Sequence, residues 1–261
     1  MGTPLKNPPV CFTLVQVRFN PILKLSEYLP SIQDSMRKLG YPDFETKRDI
    51  VININIQDGK PVPSPGADER FCFGTVDKKY RFVLNAQFLT FQSTNYGTYE
   101  DFSERLLRGL SLMHQAVRLD YTERVGLRYL DHIAPKEGDS LENYLAQEAQ
   151  GLSARLGGVP LHSYSETLTT FDEVKLLSRV LIREGALQFP PDLQPEGMEV
   201  GERFKNGGGR HAVLDTDGFV EGREIFSLDH VKQQLDKIHE VVRKAFRDAV
   251  TDHAFDVWNE K

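Results

Sequence analysis

The residues of this chain best suited to chemistry come in matched pairs. Arg18 stands in Val15-Gln16-Val17-Arg18-Phe19 and Arg128 in Val125-Gly126-Leu127-Arg128-Tyr129, each a charge set inside an apolar strand end. A guanidinium in such a place needs a partner, and its planar fork grips a carboxylate or phosphate with two bonds at once. Were the two strands neighbours, the arginines could converge on an anionic ligand. The plain alternative is that each pairs with an internal Asp or Glu. His114 and His239 form the second pair, on amphipathic helices beside Met113 and Ile238. Catalysis would require an adjacent nucleophile or acid. The spacing indicates none, so a core or boundary role is expected.

Two further features lie in the second half. Lys205-Asn206-Gly207-Gly208-Gly209-Arg210-His211 joins consecutive glycines to three basic side chains, Lys205, Arg210 and His211. Backbone amides in such a run can approach an anion, although the spacing is not that of a P-loop and a strand follows it; otherwise it is a hairpin tip. Asp215 and Asp217 alternate on that strand, so both carboxylates face one way. They could hold a divalent cation with waters, or Asp217 could simply cap a turn at Gly218.

The elements that must position these residues follow from periodicity. Strands are expected at Val10 to Phe19, Phe44 to Ile56, Arg70 to Val76 and Tyr80 to Thr90, with Ile50, Ile52, Ile54 and Ile56 lining one face of the second. Asp58 to Asp68, with Pro61, Pro63 and Pro65, reads as a surface loop. A first helix carries Leu25, Tyr28, Leu29, Ile32, Met36 and Leu39, with Ser26 as candidate N-cap and Gly40 as its stop. Another runs from about Tyr99 to Val117. The second half repeats the order: a strand from Arg124, a helix from Leu141 to Leu156, strands at His162 to Thr169, Val174 to Ile182 and Arg210 to Asp215, and a helix from Leu228 to Val250 capped by Ser227. The tail, Val250 to Trp258, has no convincing strand pattern.

The repetition extends to side chains. Leu106, Leu110, Met113, His114 and Val117 match Val231, Leu235, Ile238, His239 and Val242 at one constant offset. The reading is an α+β fold made by internal duplication of a β-α-β-β-β-α unit, with antiparallel sheets, helices packed on one face and a pseudo-twofold between copies. The copies span residues 1–122 and 123–261, the second carrying a Pro/Gly-rich insertion at 184–209. Its apolar members Leu187, Phe189, Leu193 and Met198 could dock on a partner or fold back on their own domain.

A net charge of -6 argues against a general nucleic-acid coat. No run is long enough to cross a bilayer, and the first residues lack the apolar core of a signal peptide, so a cytoplasmic protein is expected. Cys11 and Cys72 have no close Cys or His and read as buried free thiols. No cofactor is expected.

The stretches Val15 to Pro21, Glu123 to Tyr129, Leu214-Asp215-Thr216-Asp217 and Lys237-Ile238-His239 together resemble a sporadically distributed prokaryotic family of proteins of about this length, without an assigned activity. That resemblance supplies no catalytic residues; its patchy occurrence implies a mobile-element or defence-related setting. The tandem α+β plan with a glycine loop is also similar, in architecture only, to the CRISPR RNA-processing ribonucleases. The favoured function is a binding or complex-forming protein that takes a small anionic ligand or a protein partner in the cleft between copies. A nucleic-acid-processing enzyme is the alternative.

Overall fold

The computed structural model describes residues 5–57, 60–156, 161–205 and 208–260, without the side chains of 49–57, 60–68 and 153–154. The strands are β1 (Val10–Phe19), β2 (Asp43–Gln57), β3 (Lys60–Gly74), β4 (Tyr80–Leu84), β5 (Phe88–Ser93), β6 (Tyr121–Ile133), β7 (His162–Phe171), β8 (Val174–Arg183) and β9 (His211–Ile225). They form one nine-stranded antiparallel sheet in the order β2-β3-β4-β5-β1-β6-β9-β8-β7. β1 and β6 meet at its centre with Arg18 opposite Arg124, Gln16 opposite Gly126 and Leu14 opposite Arg128.

The helices are α1 (Leu25–Lys38), α2 (Tyr99–Val117), the short α3 (Ser153–Leu156) and α4 (Glu202–Lys205), α5 (Leu228–Ala249) and α6 (Asp252–Asn259). Strand alternation divides the environments. Val15, Val17, Val125, Leu127 and Val220 pack with α1, α2 and α5 in the main core, while α6 covers Ile133, Ile182 and Leu214 farther along the same face. The opposite face holds Phe12, Leu130 and Val213, and the insertion folds back over them through Leu193 and Phe204, with Leu187, Phe189 and Met198 packed alongside. The insertion also reaches the first half: Thr94 Oγ1 donates to the Glu199 carbonyl at 2.7 Å, and Lys47 pairs with Glu196 at 2.8 Å.

Two glycines let the helices sit low. A Cβ on Gly218 would stand 2.7 Å from both Ile238 Cγ2 and Val242 Cγ2 of α5, and a Cβ on Gly109 of α2 would overlap the Phe82 ring. Gly218 therefore does not end the strand in a turn capped by Asp217; β9 runs through it to Ile225.

Several boundaries differ from the periodicity. The chain over Lys60–Gly74 is strand rather than loop, paired with β2 along its length, whereas β4 covers only Phe71–Gly74. Prolines at alternate positions turn the same strand edge, so a free edge accommodates all three missing amides. Tyr80 to Thr90 breaks into β4 and β5 because Asn85 Oδ1 accepts from the amides of Gln87 and Phe88, closing a tight turn. Leu141 to Leu156 is not a continuous helix but two 3₁₀ turns (Leu141–Asn143 and Gln147–Gln150) followed by α3. There the Ala146 amide donates to the Ala249 carbonyl and the Thr251 amide to the Tyr144 carbonyl, so backbone groups needed within a helix are spent on the α5–α6 junction. Ser26 lies inside α1, which starts at Leu25. Ser227 caps α5 as expected, and the tail is α6, capped by Thr251. The unit order is thus β-α-β-β-β-β-α in the first half. In the second, 3₁₀ turns and α3 replace the helix after β6.

Among the described residues no helix is long and apolar enough to cross a membrane. Cys11 and Cys72 are free and buried.

The seating of α5 on Gly218 gives a direct test. Ile238 and Val242 are β-branched and stiff in a helix, so Gly218→Ala should cost about 2 kcal/mol, roughly 4–8 °C in melting temperature by calorimetry. An unchanged melting temperature would mean that α5 does not rest there.

Candidate functional site

The face covered by the insertion carries most of the residues that the sequence singles out, and they are largely engaged with one another. Arg128 is 7% exposed. Its Nε and Nη2 donate to the two oxygens of Asp215 at 2.6 and 2.7 Å, and Nη1 donates to Asp192 of the insertion at 2.7 Å. Arg179 on β8 adds a bond to Asp215 at 3.1 Å and one to Glu166 on β7 at 2.7 Å. Burial opposes the charge on Arg128, and these hydrogen bonds outweigh it, holding its pKa above the ordinary value. The Arg128 bond in turn holds Asp192 below the usual carboxylate range.

Arg18 is exposed and forms no ion pair among the described residues. It does not meet Arg128: the two strands are neighbours, but their register sets Arg18 against Arg124. Arg124 lies 4.4 Å over the Phe219 ring and 3.6 Å from Asp217. Burial, more than the pairing offsets, lowers the Arg124 pKa and raises that of Asp217. Asp215 and Asp217 do share a face, as alternation requires, but arginines occupy the positions around them. Among the described residues no group of three or more His, Cys, Asp or Glu side chains could hold a metal ion.

The basic residues of the glycine segment are dispersed. Lys205 pairs with Glu202 at 2.7 Å on exposed α4, and Arg210 lies 3.9 Å from Glu142. His211 is buried with its ring 4.8 Å from that of His132, and its Nδ1 lies 3.1 Å from the Gly209 carbonyl. Asn206 and Gly207 lie outside the described residues.

A buried acid without a partner lies on the helix side. Asp131 of β6 is 5% exposed, and among the described residues its carboxyl has no hydrogen bond or ion pair. Burial alone pushes its pKa up to about 7. It lines a cavity of about 140 Å³ that draws on both halves: Pro8 and Val10 before and in β1, Tyr96 ahead of α2, Tyr129 on β6, and His239 and Phe246 on α5. The amino-terminal wall is held by a 2.9 Å bond from the His132 amide to the Pro9 carbonyl. The Tyr96 and Tyr129 hydroxyls are 3.1 Å apart, and Tyr129 Oη is 3.5 Å from His239 Nδ1. The His239 ring stacks on Tyr99 at 3.9 Å between centroids. Burial, with Arg243 adding to it, lowers His239 to about 4, so the imidazole is neutral near pH 7. Its counterpart His114 stacks on Phe226 instead, at 4.5 Å.

A larger cavity, about 360 Å³, opens on the other face between the insertion and β8 and β9. Its charged members Arg179, Asp192 and Asp215 are already partnered with protein groups. The smaller cavity has an apolar wall and one unsatisfied acid, the pattern of a binding site. Among the described residues neither a serine nor a cysteine lines it, and Thr216 supplies the one aliphatic hydroxyl. Periodicity could have located Asp131, since it continues the inward series Val125, Leu127, Tyr129 toward Ile133. Tyr96, in a connection, gave no such signal.

Two predictions follow from these opposite situations. Arg128→Leu should cost about 3 kcal/mol in chemical denaturation, because a buried carboxylate loses its main partner, whereas Arg128→Leu with Asp215→Leu should cost less. Equal losses would remove the pairing. For Asp131, the folded pKa near 7 lies above the ordinary 3.8. Folding therefore takes up a proton, and stability is lost as pH rises through about 7. Asp131→Asn should stabilise the protein, with a melting-temperature gain that grows from about pH 5 to about pH 8. A gain independent of pH would place the carboxyl in a solvated or paired setting.

No family model matches the chain, and no curated protein matches it.

Proposed function

We propose that the protein is a binding protein that holds a small ligand in the cleft between two related halves, on the helix side of the sheet. The observation that carries this reading is the Asp131 carboxyl, without a partner among the described residues, in an apolar-walled cavity lined from both halves. A buried polar group left without a partner costs free energy, so its retention points to a group supplied from outside. The absence of an assembled nucleophile, base and orienting group among the described residues favours binding over catalysis.

Duplication is part of the proposal. In its favour, β1 and β6 adjoin antiparallel, and each pairs on its other side with the last strand of its own half, β5 or β9. A twofold through the Gln16–Gly126 pair would exchange Arg18 with Arg128. Membership of the sporadically distributed prokaryotic family, a cytoplasmic location and a mobile or defence-related setting belong to the same proposal; none of them bears on the ligand.

One observation favours a second reading, an anionic partner on the other face. Arg18 and Arg124 are like charges directly opposite each other, and Arg18 is exposed without an ion pair among the described residues. An RNA-processing role gains less support, because the arginines beside them are committed to Asp215, Asp192 and Glu166.

A fragment screen followed by amide ¹H–¹⁵N spectra distinguishes the faces. Hits should shift the amides of Val10, Tyr129 to His132 and His239 to Phe246. Shifts confined to Arg18, Arg124 and Phe219 would move the site to the opposite face and overturn the pocket reading.

A further inference from the structure

We propose that the helix-side pocket takes a small organic amine, its ammonium group on the Asp131 carboxylate and its apolar body against Val10, Val242 and Phe246. The inference rests on the reading of that pocket as the binding site and adds the ligand's chemistry. Among the described residues the cavity's interior offers one acid, two tyrosine hydroxyls, the Thr216 hydroxyl and a neutral imidazole, and the one cation of its lining, Arg243, belongs to the exposed side of α5. An anion would find no positive charge at depth and would face the Asp131 carboxyl. A neutral alcohol could satisfy one hydrogen bond but would leave the carboxylate's charge unmatched. An ammonium group carries three donors and no acceptor. One can form a charge-assisted bond to Asp131, and others can reach the oxygens of Tyr96 and Tyr129, which are 3.1 Å apart on the same wall.

Size and polarity set the rest. A cavity of about 140 Å³ is near the roughly 150 Å³ that accommodates a benzene-sized guest. The ligand is therefore compact, with its charge at one end and an apolar remainder. The burial that makes Asp131 costly when empty strengthens its attraction for a cation when filled, because charges interact more strongly where water is excluded.

The test is a titration of the full chain near pH 8 with n-butylamine, n-butanol and butyrate, following the amides of Val10, Asp131, His239 and Phe246. Butylamine should bind about tenfold more tightly than either neighbour, a factor typical of one charge-assisted bond. Asp131→Asn should reduce butylamine to the level of butanol while leaving butanol binding in place. Arg243→Gln, an exposed change that leaves the pocket floor intact, should tighten butylamine binding by about two- to fivefold through lost repulsion. It provides a second readout should Asp131→Asn not fold. Equal binding of butylamine and butanol, or preference for butyrate, would overturn the amine assignment while the pocket stands. No shifts at these amides with any of the three would overturn both.

Discussion

The backbone ladder between β1 and β6 is the constraint on which the other features depend. It joins the two halves into one sheet and fixes, residue by residue, which side chains meet the helices and which meet the insertion. Because alternation has a period of two, a slip of one residue would exchange every side chain between the faces. The ladder thus sends Arg18 and Arg128 outward and Tyr129 and Asp131 inward. Gly218 then brings α5 close enough for His239, Val242 and Phe246 to wall the space above Asp131.

The two faces handle charge differently. On the outer face Arg128, Asp215, Asp192, Arg179 and Glu166 form a chain of hydrogen-bonded ions crossing from β6 through β9 to β7 and up to the insertion. Removing either member of such a buried pair strands the other, while the net contribution of the intact pair is small. The network's role is accordingly to fix where the insertion lies more than to add stability. On the inner face Asp131 has no such arrangement among the described residues. Sequences tend to violate local rules at functional sites, and an unpaired carboxyl among Val125, Leu127, Tyr129 and Ile133 is such a violation.

Much of the fold was legible from local rules. β1 and the helices α2 and α5 follow apolar periodicity and caps almost to the residue, since Ser227 announces α5 and the pattern from Tyr99 to Val117 is uninterrupted, while β6 starts three residues before the expected Arg124. The two largest errors share one physical source, namely backbone groups that find long-range partners, whereas the break between β4 and β5 is a local turn closed by Asn85. Leu141 to Leu156 has helical spacing, yet its amides and carbonyls bond to residues 249–251. The proline segment has loop composition, yet an open edge admits it as strand. Of the two arginines expected to need partners, only Arg128 is buried and paired; the register that leaves Arg18 exposed opposite Arg124 was not legible. Asp131 carried a period-two signal within its strand; the cavity above it depends on α5 and the amino-terminal segment, which no local pattern connects.

The order in which these parts become available along the chain has its own consequence. β1 is made before the other described strands, yet it lies in the interior of the sheet, and one of its two neighbours is not synthesised until Tyr121–Ile133. The segment in front of it is fastened later still: the Asn7 amide donates to the carbonyl of Trp258 at 2.9 Å, in the last helix. Closing contacts across nearly the whole chain is entropically expensive and slow, and until then β1 presents an unpaired edge. The segment that carries this wall of the cavity is therefore fastened only after Trp258 has been made. A chain interrupted before Asp252 would lack the anchor for that segment.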